Sequence, residues 1–363
     1  MRKDARVSTR RTLAGLLGSM LLLAGCANLP ATTVYTYGDQ ATRILDLLTP
    51  VFWMAVGVFV VVQGALVYTV WRFRSKSKDN TTIPTQLHGN TRIEIAWTIA
   101  PAIVVLIIAV MTFRTQAANV APVYDENAVE VHAIAHQWWF EFQYEDGTIV
   151  TAGDMYIPVG QNVRVILDAA DVMHNFWIPK LAGKTYMIPG KTNALAFTAL
   201  EPGIYRAMCA EFCGEAHAQM RFRVIAVEPA EFEKWKTQYK QLPAPASGTV
   251  QVMGMTGDAA RGQALFADPK KLCITCHIIN GTDGKGKIGP NLTHYGSRQT
   301  IAAGVLPYST ENLAKWLHNP EEVKQGNLMG RVIKPGMYTD QEIADLVAYL
   351  DGMKLSVALP EEK

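Results

Sequence analysis

Cysteine is scarce in this chain of 363 residues. There are five cysteines, and four of them lie in two tight pairs, Cys209 with Cys213 and Cys273 with Cys276. This arrangement excludes a dispersed disulfide framework of the kind that holds small secreted domains together. The net charge is only +2, so the composition indicates neither a nucleic-acid-binding surface nor an acidic tail.

Charged residues are missing from two long apolar runs, 47–71 and 95–113. Each run is close to the ~20 residues that a helix needs to cross a bilayer. The segment between them is basic, with Arg72, Arg74, Lys76, Lys78 and Arg92 against Asp79. The positive-inside rule therefore predicts a transmembrane hairpin with a cytoplasmic loop, and places everything after about residue 115 outside. The alternative for either run is a buried core helix.

Residues 1–26 have the pattern of a secretory signal: a basic start, a short apolar run and small residues at the end. The ending LAGC resembles the lipobox of bacterial lipoproteins. This resemblance implies that Cys26 becomes the acylated N-terminus of the mature chain. The alternative is an uncleaved signal anchor with a buried cysteine.

From about residue 128 the hydrophobic period changes to two. Alternating runs near 129–135, 163–167 and 220–226 are separated by turn residues. Short strands in this arrangement predict an antiparallel sandwich or barrel.

The segment CAEFCGEAHAQM, residues 209–220, collects side chains that bind metals. Its spacing is C-x3-C-x3-H-x2-M, and a further histidine, His174, lies upstream in DVMHNFWIP. Thiolate, imidazole and thioether together favour copper, whereas zinc rarely uses methionine. Two thiolates leave room for two copper ions. A disulfide between Cys209 and Cys213, or a structural histidine, explains only part of the pattern.

The C-terminal part contains Cys-x-x-Cys-His at Cys273, Cys276 and His277, after a linker-like segment, 241–257. This spacing is typical of c-type haem attachment, with His277 as an axial ligand of the iron. The sixth ligand of an electron-transfer haem is commonly methionine. Met329 in KQGNLMG is the predicted ligand, because this loop resembles that of small bacterial c-type cytochromes, and Met337 is its rival.

In sum, the motifs resemble subunit II of the haem-copper cytochrome c oxidases. The resemblance covers residues 40–230 through the hairpin, IEIAWTIAP, HQWWFEF, DVMHNFWIPKLAGK and CAEFCGEAHAQM, in the family's order. The C-terminal part resembles the cytochrome domain fused to some of these subunits, the caa-type arrangement. The implied fold is a two-helix transmembrane hairpin, an all-β cupredoxin-like sandwich and an all-α class I cytochrome c domain. The expected divisions are 1–26, 27–118, 119–240, a linker at 241–257, and 258–363.

The resemblance also implies site residues. The dinuclear copper centre, CuA, would be bound by His174, Cys209, Cys213, His217 and Met220 and by the backbone carbonyl of Glu211. The Glu211 side chain would reach a magnesium ion at the interface with subunit I. Many family members have an acidic residue where this chain has Tyr186, so the polar network near the magnesium is expected to differ.

Two further residues match family positions. Trp138 matches the aromatic residue where electrons enter, and Glu94 matches the acid at the mouth of a proton channel shared with subunit I. The alternatives are a packed strand residue for Trp138 and a carboxylate that stabilises a helix N-terminus for Glu94.

The implied function is electron transfer at the outer face of a bacterial plasma membrane. Electrons would come from an external donor, such as a cytochrome c, a copper protein or an upstream respiratory complex. They would pass from haem c to CuA and on to subunit I, where oxygen is reduced and protons are pumped. Subunit III and membrane lipid are further expected partners. The alternatives are a subunit of a CuA-containing nitric oxide reductase and a membrane-anchored electron carrier, whereas a quinol oxidase is disfavoured because that branch lacks the copper ligands.

Overall fold

The computed structural model describes residues 31–74, 85–86, 88–244, 246–284 and 286–363. The predicted signal peptide with Cys26, and the loop residues Lys76 and Lys78, lie outside these residues. Lipidation of Cys26 therefore stays a prediction.

Two long helices begin the described chain, α1 (Asp39–Phe73) and α2 (Thr91–Val120). Both are long and apolar enough to cross a membrane, and the apolar side chains along them are exposed. Each helix extends beyond the predicted span. The start of α1 is fixed on the next domain, because Asp39 Oδ1 accepts a hydrogen bond from the Thr198 amide at 2.7 Å.

The next domain consists of ten strands and a helix. The strands are β1 (Val129–His136), β2 (Trp139–Tyr144), β3 (Ile149–Ala152), β4 (Asp154–Pro158), β5 (Asn162–Ala169), β6 (His174–Trp177), β7 (Lys184–Met187), β8 (Asn193–Thr198), β9 (Gly203–Cys209) and β10 (Arg221–Val227), followed by helix α3 (Pro229–Tyr239).

These strands form two five-stranded sheets, in the orders β3-β2-β1-β5-β8 and β4-β10-β9-β6-β7. The prediction of a sandwich is confirmed, but the expectation of purely antiparallel pairing was wrong. Strands β1 and β5 are parallel, and so are β10 and β4. Parallel neighbours need long crossover connections, which local alternation does not reveal.

Aromatic residues fill the space between the sheets. The Phe222 ring lies 4.6 Å from that of Phe140 and 4.7 Å from that of Phe176. Trp235 of α3 is fully buried and stacks on Tyr156 at 4.6 Å, so the helix closes one end of the core. This core supports β6, β9 and β10, the strands that carry the metal-binding motif.

The C-terminal domain is mainly helical. Its elements are the hairpin β11 (Thr249–Val252) and β12 (Met255–Asp258), α4 (Ala259–Ala267), α5 (Cys273–Cys276), the short pair β13 (Thr300–Ile301) and β14 (Leu306–Pro307), α6 (Thr310–His318), α7 (Pro320–Val323), α8 (Leu328–Val332) and α9 (Asp340–Gly352).

Part of the segment predicted as a linker, 241–257, is folded into the β11–β12 hairpin. Met253 and Gly254, which join the two strands, both have positive φ, as a two-residue turn of type I′ requires. Val252 is buried in the core of the cytochrome-like domain. The hairpin therefore belongs to that core.

Helices α4 and α9 of this domain cross closely. A Cβ atom on Gly262 of α4 would lie 2.0 Å from the Asp345 carbonyl oxygen of α9, so only glycine fits there. Thr339 and Glu342, in the sequence pattern T-x-x-E, form a capping box at the start of α9. His294, which the sequence alone would place at the surface as an isolated histidine, is buried, and its Nε2 lies 3.1 Å from the Gln241 carbonyl oxygen.

The chain after α9 runs back over the sandwich. The Ile204 amide donates to the Glu361 carbonyl at 2.9 Å, and the Lys363 amide donates to the Ile204 carbonyl at 3.1 Å. The Glu362 carboxylate lies 2.5 Å from Arg206 Nε and 3.0 Å from an Arg223 guanidinium nitrogen. This tail, residues 353–363, connects the two soluble domains by a route separate from the linker.

Candidate metal centre and haem site

Neighbouring strands bring the metal-binding motif together. His174 is the first residue of β6 and Cys209 is the last of β9, and these two strands pair antiparallel. Cys213 follows in the loop, and His217 begins a short 3-10 turn that ends just before Met220 and β10. The Cys209 amide donates to the Met220 carbonyl at 3.0 Å, which closes the loop.

Four potential metal-ligand atoms surround the two cysteine sulfur atoms. Cys209 Sγ lies 3.9 Å from His174 Nδ1 and 3.3 Å from the Glu211 carbonyl oxygen. Cys213 Sγ lies 3.5 Å from His217 Nδ1 and 3.8 Å from Met220 Sδ. His174, Cys209 and Cys213 form a buried group able to hold a metal ion. Each sulfur thus has two further donors beside it.

The two thiols do not form a disulfide in this structure. Their sulfur atoms lie 3.8 Å apart, and both cysteines are free. A disulfide bond has a length of about 2.05 Å. The sulfur atoms are therefore separate, as two bridging ligands would be.

The pKa values of the two cysteine thiols indicate that a cation between the sulfur atoms would be stabilising. The hydrogen bond from the Cys213 thiol lowers the pKa of Cys209, and the same pairing raises the pKa of Cys213. One thiolate forms readily, but a second negative charge beside it is strongly opposed. Metal ions that bind both sulfurs would remove this repulsion, so the donor set fits a copper pair.

Asp171 holds one of the predicted ligands. Its carboxylate lies 2.8 Å from His174 Nε2, which directs Nδ1 toward Cys209. Burial works against protonation of His174, but the Asp171 hydrogen bond raises the pKa of the imidazole overall. Sequence reasoning missed Asp171, although its position three residues before His174 was a signal.

Trp138 lies directly beside the metal-binding loop. Its indole Nε1 donates to the Cys213 carbonyl at 3.0 Å, and the Gln137 side chain donates to the same oxygen at 2.7 Å. A Cβ atom on Gly214 would lie 3.0 Å from the indole, and Gly214 has a φ of +116°. Glycine therefore allows the close approach. Trp138 is buried and lies in the turn between β1 and β2. This position agrees both with a role in electron entry and with a packing role.

The predicted haem ligands also come together. Cys273 and Cys276 lie one helical turn apart on α5, and His277 follows directly. His277 Nδ1 lies 2.9 Å from the Pro290 carbonyl oxygen, and burial lowers the pKa of the imidazole. A neutral imidazole that donates from Nδ1 keeps Nε2 free to bind iron. A Cβ atom on Gly289 would lie 2.4 Å from the ring, so glycine is needed beside it, and this arrangement fits a c-type haem.

Met329 and Met337, the two candidates for the sixth haem ligand, are both half-buried beside the core of the cytochrome-like domain. Met329 lies on α8 and Met337 in the turn before α9. Met329 remains the predicted ligand, on the resemblance of its loop.

Glu94 and two residues near the predicted magnesium position, Phe212 and Tyr186, lie at the surface. Glu94 is in the first turn of α2, and its Oε1 accepts a hydrogen bond from the Asn90 amide at 3.1 Å, which suits the interpretation as a helix-capping carboxylate. Phe212, between the two cysteines of the loop, is 77% exposed, and Tyr186 is 47% exposed. The exposed loop leaves this edge of the site open to a partner.

Three protein-family models match the chain. Residues 38–115 match the transmembrane domain of cytochrome C oxidase subunit II, 149–227 its periplasmic domain, and 259–354 cytochrome c. Cytochrome c oxidase subunit 2 of Alkalihalophilus pseudofirmus is 36% identical over 92% of this chain and 94% of its own length. The chain belongs to the cytochrome c oxidase subunit II family.

A second relative matches most of the chain, and a solved structure matches part of it. Cytochrome c oxidase subunit 2 of Bacillus sp. strain PS3 is 35% identical over 94% of this chain and 97% of its own length. The crystal structure of the periplasmic domain of subunit II of cytochrome oxidase from Bradyrhizobium japonicum is 29% identical, covers 31% of this chain and 93% of that one, and gives a TM-score of 0.30.

Family membership confirms the predicted class of protein and its fold. As a cytochrome c oxidase subunit II with a cytochrome c domain, the chain is a component of an oxidoreductase complex and associates with subunit I. Two helices anchor it in the membrane, with the copper-binding and cytochrome c domains on the periplasmic side.

Proposed function

We propose that this chain is the electron-input subunit of a caa-type cytochrome c oxidase. Electrons from an external donor reach haem c, continue to the dinuclear copper centre, and leave for the haem groups of subunit I, where oxygen is reduced to water with proton pumping. The observation that carries the proposal is the pair of free sulfur atoms 3.8 Å apart, with imidazole, thioether and carbonyl donors beside them.

The copper ligands in this proposal are His174, Cys209, Cys213, His217, Met220 and the carbonyl of Glu211. A dinuclear copper centre supplies rapid one-electron transfer with little change in its surroundings. The protein holds the ligand atoms in position before copper binds. Strands β6 and β9 fix one end of the loop, and Asp171 orients His174. The burial of Cys209, Cys213 and Met220 keeps water from the sulfur atoms.

The haem ligands in this proposal are His277 and Met329, with Cys273 and Cys276 as the covalent attachment points. The Pro290 carbonyl and Gly289 hold the His277 ring in place. We also propose the domain divisions predicted from the sequence, except that the linker ends before the folded β11–β12 hairpin.

Some parts of the proposal depend chiefly on the family resemblance. They are magnesium bound by the Glu211 side chain, a proton-channel role for Glu94, electron transfer through Trp138, subunit III as a partner, and lipid on Cys26. The half-exposed side chain of Glu211, next to the exposed Phe212, supports a metal ion shared with another subunit.

The fusion has a physical advantage. A tethered donor domain stays near its acceptor at an effective concentration of roughly millimolar. Contacts between the two soluble domains add to this effect, because the Gln299 amide donates to Asp154 Oδ2 at 2.9 Å and the Arg221 amide donates to the Ala303 carbonyl at 3.1 Å.

Spectroscopy of the soluble portion, residues 120–363, tests the proposal. After maturation with copper and haem, we expect one covalent haem and one mixed-valence copper pair by optical absorption and electron spin resonance. The proposal would be contradicted if the protein, after the same maturation, contained no copper and had a disulfide bond between Cys209 and Cys213. Metal analysis of the copurified partner subunit distinguishes an oxidase, with haem and copper in its active site, from a nitric oxide reductase with haem and iron.

A further inference from the structure

Lys324 is buried where the cytochrome domain meets the copper domain. It lies between α7 and α8 and is only 4% exposed. Its ammonium donates to the Trp138 carbonyl at 2.7 Å and to the Ala302 carbonyl at 3.2 Å. One carbonyl belongs to the copper domain and the other to the cytochrome domain, so one side chain joins the two.

On the copper side, the connection continues to a predicted ligand. Lys324 binds the main chain of Trp138, and the indole of Trp138 donates to the Cys213 carbonyl at 3.0 Å. Two hydrogen bonds and one tryptophan therefore separate the lysine from the backbone of Cys213.

On the haem side, the connection continues through Asn327. Its side-chain amide donates to the carbonyls of Lys324, at 2.5 Å, and Pro320, at 2.9 Å, while its Oδ1 accepts from the Gly330 amide at 2.6 Å. These bonds fix the loop that presents Met329. The lysine and the predicted haem ligand thus belong to one rigid segment.

Contacts on both sides of Lys324 hold the domains in register. A Cβ atom on Gly304 would lie 2.7 Å from Arg221 Cβ, so the tip of the β13–β14 pair touches the start of β10. On the other side, a guanidinium nitrogen of Arg331 lies 3.1 Å from the Glu215 carboxylate. Lys324 binds the Ala302 carbonyl near the first contact, and a Cβ atom on Gly326, two residues after Lys324, would lie 2.6 Å from Glu215 Cβ at the second.

A lysine is an unfavourable choice for a buried interface. Burial is the main reason that the pKa of Lys324 is lowered to about 7; Cys213 opposes this lowering and Arg221 adds to it. An apolar residue of similar length would avoid this desolvation cost, so the lysine contributes something other than simple burial. Its distinctive property is a directed hydrogen-bond donor that reaches both domains.

We propose that Lys324 is a positioning residue for electron transfer within the chain: its ammonium fixes the Met329 loop of the cytochrome domain against Trp138, at the backbone of the copper-binding loop. The inference rests on the proposed function, because it concerns the transfer from haem c to copper. The lysine acts through Trp138, and neither of its two hydrogen-bond partners is a predicted copper or haem ligand.

The test uses the complete oxidase with Lys324→Met, which keeps the length of the side chain and removes its donors. In single-turnover oxidation of the fully reduced complex, we expect haem c oxidation by the copper centre to slow by about tenfold. We also expect weaker magnetic coupling between haem c and copper in spin-resonance relaxation. Lys315→Met, on the exposed face of α6, is the matched control and should retain the wild-type rate.

Lys324→Gln, which keeps an amide donor on a shorter stem, is measured in the same way in case the methionine variant loses its haem. Wild-type rates and wild-type coupling in the folded variants would overturn the role of Lys324. A wild-type complex in which copper does not oxidise haem c would instead overturn the proposed function. The two failures are therefore distinguishable.

Discussion

Asp171 Oδ1 lies 2.8 Å from Nε2 of His174, and the opposite ring nitrogen faces the Cys209 sulfur. Asp171 also accepts hydrogen bonds from the amides of Gln137 and Val172, each at 2.6 Å. One carboxylate therefore fixes both the imidazole of a predicted ligand and the turn that leads to Trp138. Such partners orient metal ligands and increase their basicity.

Replacement of that carboxylate should weaken copper binding. For Asp171→Asn we expect the copper affinity to fall by about 10- to 100-fold, because the amide no longer holds His174 in one orientation and one charge state. Competition with a copper chelator, followed by the near-infrared absorption of the copper pair, measures the change.

The chain contains a matched control for this substitution. Asp168 Oδ2 lies 2.6 Å from Nε2 of His132, a histidine outside the metal-binding motif. Asp168→Asn should leave copper affinity unchanged. Equal loss in both variants would show that the effect comes from general destabilisation and not from the orientation of His174.

Substitution of each candidate methionine tests which one is the sixth ligand of the haem iron. For Met329→Leu we expect loss of the sulfur–iron absorption band and a lower reduction potential of haem c, because a thioether ligand raises that potential. Met337→Leu, at the rival methionine, should keep both properties. The opposite result would assign Met337 as the ligand and would leave the rest of the haem site unchanged.

The buried carboxylate of Asp154 predicts a pH dependence of stability. Oδ2 accepts the hydrogen bond from Gln299, and Oδ1 has no partner among the described residues. Burial raises the pKa of Asp154 to about 6, against the attraction of Arg298 and Arg223. The folded chain therefore holds this proton more tightly than the unfolded chain, so stability is lost as pH rises from about 4 to about 6.

Asp154→Asn should remove this loss. The free energy of unfolding of the variant and the wild type should agree near pH 4, and the variant should be the more stable by up to about 3 kcal/mol at pH 7. Denaturant unfolding of the soluble portion at several pH values measures the difference. Asp283→Asn, an exposed carboxylate, is the control, and a difference between Asp154→Asn and wild type that does not change with pH would contradict the prediction.

Much of the copper and haem sites could be predicted because their chemistry is compressed into short motifs. Spacing alone marked Cys209, Cys213, His217 and Met220. His174, 35 residues before Cys209, could be included because few residue types bind copper. Most of these residues could be predicted from local patterns because they lie close together in the chain.

The contacts between the domains could not be predicted in the same way. Lys324 and Trp138 are 186 residues apart, and Asp154 and Gln299 are 145 apart. In each pair one partner contributes only a backbone group, and a backbone amide or carbonyl leaves no mark in the sequence. The parallel pairing of β1 with β5 was also missed, because a crossover connection joins strands that are far apart in the sequence.

The contacts between the domains predict a weak dependence of internal electron transfer on salt. Backbone hydrogen bonds connect Arg221 with Ala303 and Ile204 with Glu361, and such bonds are little affected by ionic strength. Exposed ion pairs such as Glu362 with Arg206 contribute less than about 1 kcal/mol each and are screened by salt. We therefore expect the rate of haem c oxidation by copper to change by less than about threefold between low and high salt, because the tether maintains the local concentration.

Stopped-flow oxidation of reduced haem c over a range of salt concentrations measures this rate, and Glu362→Gln provides the comparison. The variant at low salt should resemble the wild type at high salt, because both lack the ion pair and keep the backbone bonds. Reduction of haem c by a soluble charged donor in the same preparation should slow much more with salt, since that encounter depends on long-range attraction. A strong salt dependence of the internal step would mean that the cytochrome domain leaves the copper domain between turnovers, and the tether argument would fail.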